Sequence, residues 1–343
     1  MSLLEVEDLR TYFHTEGGIV QAVDGVDFHV KAGETLGLVG ESGAGKSVTV
    51  RSLLDLIEPP GMVVDGTVRF DGRDLLSASE SDLREEVRGS QISFVFQDPM
   101  SALNPVYSVG DQVAEIVEYH TDQSESEAYD RAIELLDDVG IPDADQRVDQ
   151  YPHEFSGGMR QRVLIAMALS CNPKLIIADE PTTALDVTIQ AQILDLFDEI
   201  QDEYDTAIIY VTHDIGVVRE VCDRVAVMYL GEIVESGRYD ELYRDPRHPY
   251  TQMLLRSVIT PDTDMADLDP IEGTMPSATD PPSGCRFRTR CPVAFEDCSR
   301  IEPPRYDVGH GHNAACLLYD ERSDRDEPRL HERTSARGGE ASE

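Results

Sequence analysis

The chain has 343 residues, 67 acidic against 29 basic, for a formal net charge of −38. That length allows one large α/β domain plus an extension. The charge excludes the basic face that nucleic-acid binding requires, and no apolar run of about eighteen residues is present to span a membrane. The N-terminus, Met1-Ser2-Leu3-Leu4-Glu5, carries no basic region or cleavage pattern.

Residues 1 to about 96 read as short strands alternating with turns, with Asp71-Gly72 a hairpin signal between Thr67-Val68-Arg69-Phe70 and Arg73. Within this region the apolar run Thr35–Val39 leads directly into Gly40-Glu41-Ser42-Gly43-Ala44-Gly45-Lys46-Ser47, followed by a helical stretch with Val48, Leu53, Leu54 and Ile57 apolar. Strand, G-x-x-x-x-G-K-S and helix together are the context of a phosphate loop. Its backbone N–H groups would cradle phosphates, Lys46 would reach the β- and γ-phosphates, and the Ser47 hydroxyl would ligate Mg²⁺.

Residues from about 98 to 172 read as a helical insertion, its stripe Ala128, Ala132, Leu135, Leu136 and Val139 stopped by Gly140 and Pro142. Near its end, Phe155-Ser156-Gly157-Gly158-Met159-Arg160-Gln161 places an N-cap serine before a helix. A second anion-binding helix start in one chain is redundant for a single site. Facing outward, Ser156 and the Gly158 N–H would complete a partner's site, which implies a head-to-tail dimer.

From about 173 the sheet resumes. Leu175-Ile176-Ile177-Ala178 is a buried-strand run that ends in Asp179 and Glu180. Asp179 would hold Mg²⁺, and Glu180 is placed to polarise an attacking water as general base. Thr206–Val211 delivers His213 to the same edge as a γ-phosphate contact, and Gln97, after Phe94-Val95-Phe96, would sense Mg²⁺ or the attacking water.

With these segments in this order, residues 1–258 resemble an ABC-transporter ATP-binding subunit. In that family's terms they are Walker A, the Gln97 loop, the signature loop, Walker B, the Ala184-Leu185-Asp186 loop and the switch His213. Phe155 stands where many members carry Leu, and Met159 where many carry Gln. The resemblance implies an α/β P-loop NTPase of ABC type with an antiparallel β subdomain, a helical subdomain over about 98–172 and a Cys-containing C-terminal extension. It adds Gly157, Gln161 and Asp186 to the nucleotide site. It also implies an aromatic stacked on adenine, for which Phe13 is chosen and Tyr12 is the alternative. EPTTALDVTIQAQIL (Glu180–Leu194), FQDPMSALNP and HPYT (His248–Thr251) are similar to the peptide/nickel importer branch. That branch implies ATP hydrolysis coupled to di- or oligopeptide uptake, with nickel or oligosaccharide as alternative cargo. A soluble, non-transport ABC ATPase is the rival reading. The implied partners are a second ATPase subunit, a relative rather than another copy, two transmembrane permease subunits and an extracellular substrate-binding protein. The implied place is the cytoplasmic face of the membrane.

Of six cysteines, Cys171 and Cys222 sit in apolar helix-like contexts, while Cys285, Cys291, Cys298 and Cys316 cluster in the extension, 259–319. Their spacing lacks paired C-x-x-C knuckles, and disulfides are the wrong default for a cytosolic ATPase. A [4Fe–4S] cluster on a similar quartet is implied by the resemblance. Zinc and free thiols remain open, with His310 or His312 able to replace one ligand. Thr260–Pro282 reads as a linker and 320–343 as a disordered tail. Only three lysines occur, Lys31, Lys46 and Lys174. With such acidity, this points to a halophilic cytosol, where a Debye length of about 3 Å at 1 M salt screens self-repulsion.

Overall fold

The computed structural model describes residues 2–183, 185–257 and 271–320. Two sheets build it. The smaller is antiparallel, running from Gly18–Lys31 through Ser2–Thr15 and Gly61–Phe70 to Arg73–Asp74. Instead of short strands, its first two run 14 residues each. Bulges in their pairing, one between Val6 and Leu9 around the positive-φ residue Asp8, let so long a hairpin twist without breaking. Asp71 and Gly72 both take positive φ between the paired Phe70 and Arg73, the turn that the sequence signalled.

The larger sheet carries the site. Five of its strands are parallel, in the order Arg224–Tyr229, Thr35–Val39, Ala207–Thr212, Leu175–Asp179, Ile92–Val95. Thr35–Val39, Leu175–Asp179 and Ala207–Thr212 are buried at every position, as strands covered on both faces must be. Alternation sorts their side chains. Ile176, Ala178, Ile208 and Tyr210 face a core shared with the helices Val109–His120, Glu125–Asp138, Gly157–Leu169 and Val187–Tyr204. Leu175, Ile177, Ile209 and Val211 face the antiparallel sheet and the helix Lys46–Ser52. Ala128, Ala132, Leu135, Leu136 and Val139 are all fully buried, and Gly140 at φ +76 follows their helix.

The C-terminal extension adds to this sheet. Glu232–Arg238 pairs antiparallel beside Arg224–Tyr229, His312–Ala314 pairs on it, and Tyr306–Gly309 closes the edge. Phe287 joins Val225, Val227, Tyr229 and Tyr250 in a third core that ties the extension to the parallel strands. Ala184, residues 260–270 of the expected linker and the tail from 321 lie outside the described residues. No helix among the described residues is long and apolar enough to cross a membrane.

Candidate functional site

Because the central strands are parallel, their C-terminal ends share one edge, where ligands of open α/β sheets bind. Val39 opens into the phosphate loop, Asp179 ends its strand, and Thr212 hands on to His213. The loop needs glycine at Gly45, which takes φ +106 and where a Cβ would lie 2.3 Å from the Ala22 carbonyl oxygen. Gly45 then serves as the N-cap of Lys46–Ser52, which turns the loop's N–H groups inward.

Lys46 is 4% exposed. Its ammonium donates to the Gly40 carbonyl at 2.8 Å and the Glu41 carbonyl at 3.2 Å, and lies 3.6 Å from Glu180 Oε1. Burial holds its pKa below the usual lysine value, while Glu180 opposes the shift. The Ser47 hydroxyl donates to Asp179 Oδ1 at 2.8 Å. Burial raises the Asp179 carboxyl, against that hydrogen bond. Its second oxygen, Oδ2, is buried without a hydrogen-bond partner and lies 3.7 Å from an Arg51 nitrogen. An unpartnered buried carboxylate oxygen beside a serine hydroxyl fits a divalent cation, so Ser47 and Asp179 are a coherent Mg²⁺ pair.

Glu180 adopts φ +49, a left-handed conformation that costs a non-glycine residue about 1–3 kcal/mol. That bend turns its side chain back over the sheet edge while its N–H still donates to the Val211 carbonyl at 3.0 Å. Three groups converge on its Oε2: Gln97 Nε2 at 3.1 Å, Thr183 Oγ1 at 3.0 Å and His213 Nδ1 at 3.3 Å. Gln97 and His213 therefore meet at one carboxylate oxygen of Glu180. Thr183 and Arg51 are additions that the sequence did not mark.

Ser156 is exposed and caps Gly157–Leu169, accepting from the Met159 N–H at 3.3 Å. Among the described residues, no polar partner of Lys46 comes from this segment. Gly158 is buried, since a Cβ there would lie 2.5 Å from the Ile189 side chain. Asp186 caps the helix that carries Ile189, accepting from the Ile189 N–H at 3.0 Å. Gln161 is placed differently from expectation: it is 1% exposed, with its amide nitrogen unpartnered, so it points into the core and not toward a neighbour's nucleotide. Phe13 lies in the first long strand against Gly61, and Tyr12 donates its hydroxyl to Asp24 at 2.7 Å.

Cys285, Cys291, Cys298 and Cys316 line one apolar cavity of about 20 Å³, together with His248 and Phe287. Burial pushes the Cys285 thiol up to about 12 and Cys291 to about 11. Among the described residues, no three His, Cys, Asp or Glu side chains are arranged to hold a metal ion. His310 and His312 do not substitute as ligands in this cavity. His312 is buried 2.6 Å from Glu235, and His310 lines a different cleft with Lys31 and Arg305.

Parallel sheet, phosphate loop and paired acids define an ATP-binding cassette. The family model described as ABC transporter matches residues 23–183, and that described as oligopeptide/dipeptide transporter, C-terminal region, matches 234–298. The oligopeptide transport ATP-binding protein OppD of Bacillus subtilis is 54% identical, over 90% of this chain and 87% of its own. Its counterpart AppD from the same organism is 48% identical, over 93% and 98%. Among solved structures, a dimeric post-hydrolysis state of the ATP-binding cassette MJ0796, bound to ADP and Pi, superposes with a TM-score of 0.62 at 28% identity. That match covers 69% of this chain and 98% of that one. The chain belongs to the ABC transporter family of ATP-hydrolysing subunits, in the group that carries the oligopeptide/dipeptide C-terminal region.

Proposed function

We propose that this chain drives uptake of di- or oligopeptides by hydrolysing ATP between two ATPase subunits docked on a pair of permeases. The observation that carries the chemistry is the convergence on Glu180 of Lys46, Gln97 and His213. The loop from Gly40 to Ser47 holds the β- and γ-phosphates, with Lys46 turning from its loop carbonyls to them. Ser47 and Asp179 would hold Mg²⁺, which offsets phosphate charge. Water, oriented by Gln97, attacks the γ-phosphorus and gives its proton to Glu180, while the bond to the β–γ bridging oxygen breaks and ADP leaves. His213 hydrogen-bonds the transferred phosphate.

The outward Ser156 would close over the γ-phosphate held by the other subunit, a related ATPase. Asp186 would sit at the same face, where the neighbouring Val187 is 83% exposed. Support for this comes from the dimeric, ADP- and Pi-bound relative. A groove of about 450 Å³ in the helical region, lined by Tyr107, Gln112, Ile116 and Tyr119, suits a permease segment, since Tyr107 and Tyr119 are more than half exposed. An extracellular substrate-binding protein would deliver cargo, and the subunit itself would work at the cytoplasmic membrane face. Phe13 is the proposed adenine platform.

The cysteine quartet is proposed to hold a [4Fe–4S] cluster, or zinc, and convergence on one cavity supports it; ligation requires the thiols to move together. Visible absorption with iron, sulfide and zinc analysis of anaerobically purified protein tests this, and protein free of all three refutes it. The function is tested by reconstituting the subunit with its permeases and receptor in proteoliposomes. ATP-dependent uptake of labelled peptide, lost on Lys46→Ala, is expected. Uptake of nickel or oligosaccharide in its place refutes the cargo.

A further inference from the structure

We propose that the C-terminal part of the chain braces the phosphate loop: Tyr250, just before the extension, and Arg290, within it, are positioning residues that hold Glu41, and nucleotide affinity depends on them. This rests on the reading of Gly40–Ser47 as the ATP loop.

Glu41 follows the first glycine of that loop, and both of its ends are taken. Its backbone N–H donates to the Tyr250 hydroxyl at 2.9 Å across 209 residues of sequence. Its carboxylate accepts from two guanidinium nitrogens of Arg290, at 2.8 and 3.2 Å, across 249 residues. The braces are themselves fixed. Tyr250 is fully buried, and the Arg290 side chain is 5% exposed. Arg290 Nε donates to the Glu272 carbonyl at 3.0 Å, and its guanidinium lies 5.9 Å from the Tyr229 ring centroid. Tyr229 in turn makes edge contacts with Tyr250 at 4.8 Å and Phe287 at 5.1 Å. Thus HPYT, without evident chemistry as a sequence, supplies a hydroxyl to the loop backbone.

Two physical consequences follow. The Glu41 carbonyl is one of the two seats of the Lys46 ammonium, so releasing Glu41 unsettles the lysine. Arg290 also neutralises a carboxylate on a loop that must receive a triphosphate. Without it, an uncompensated negative charge would face the ligand across a partly dry site. Fork geometry on a carboxylate is what arginine supplies and lysine does not.

The test is MgATP affinity of the full chain, by titration with a trinitrophenyl-ATP probe, beside ATPase kinetics of the assembled transporter. Arg290→Met is expected to raise Kd and KM about tenfold, the equivalent of one charged hydrogen-bonded pair, with kcat at saturating ATP within about threefold. Removing the charge as well, in Glu41→Gln/Arg290→Met, should recover most of the affinity; Tyr250→Phe should give a smaller rise. Arg305→Met, elsewhere in the extension, which frees the Asp27 carbonyl and the Ser236 hydroxyl, is the control and should bind ATP as wild type. Wild-type affinity in Arg290→Met overturns the proposal. So does a double variant no better than the single, or an equal loss in Arg305→Met. If Arg290→Met does not fold, Arg290→Gln, which also removes the charge, takes its place with the same outcomes. Wild-type binding by Lys46→Ala would instead overturn the ATP-loop reading itself.

Discussion

The Ser47 hydroxyl donates to Asp179 Oδ1 at 2.8 Å, joining the phosphate loop to a strand 132 residues later and leaving Asp179 Oδ2 buried without a hydrogen bond. The arrangement leaves that oxygen without a hydrogen bond, with an Arg51 nitrogen 3.7 Å away. Burial raises the Asp179 carboxyl, so its charge is a cost to the folded state that falls most heavily above the ordinary carboxylate pKa. Asp179→Asn should therefore raise the melting temperature at pH 7 while lowering Mg²⁺-dependent hydrolysis by about two orders of magnitude. Calorimetry and phosphate release check both halves; a lower melting temperature with normal turnover would contradict them.

His248 gives a pH prediction of opposite sense. Its backbone N–H donates to Glu235, and its Nδ1 accepts from the Tyr250 N–H at 3.1 Å, capping Pro249–Arg256. Burial pushes its pKa down to about 3, from 6.5. A depressed folded-state pKa means the unfolded chain binds the proton first as pH falls. The stability His248 contributes is present above about pH 6.5 and is lost progressively toward pH 3, at up to about 1.4 kcal/mol per pH unit. In urea titrations across that range, His248→Asn should flatten the wild-type slope by this amount. An unchanged slope refutes the assignment.

The net charge of −38 predicts a salt response. Raising salt from about 0.1 to 1 M shortens the Debye length from about 10 to 3 Å, which relieves repulsion among surface acids. The melting temperature should climb steeply across this interval in potassium chloride, consistent with the proposed halophilic setting. A flat or falling profile would remove the ground for that setting.

How much was legible in the sequence depended on how local the cause was. Lys46, Ser47, Asp179 and Glu180 could be placed because strand, loop and helix follow one another within a few residues, and parallel strands bring their ends together. The buried stripe from Ala128 to Val139 was equally local. Gln161 was misplaced because Gly157–Leu169 is buried on most of its circumference, with Val163, Leu164, Ile165 and Ala166 all inside. No periodicity then tells which polar residue faces out. The hairpin of two 14-residue strands reads as shorter strands because its bulges interrupt the alternation that reveals a strand. Tyr250 and Arg290 were out of reach for a different reason. Their link to Glu41 spans more than 200 residues and two cores, so nothing near either residue announces it.

Glu180 is proposed as the base that takes a proton from water in a site closed by a second subunit's Ser156. Turnover and bound nucleotide in the assembled transporter carrying Glu180→Gln test it most directly. The prediction is a loss of hydrolysis of about a hundredfold or more, with intact ATP retained in a closed pair of ATPase subunits. Hydrolysis at the wild-type rate, or a variant that releases ATP without closing, would contradict it.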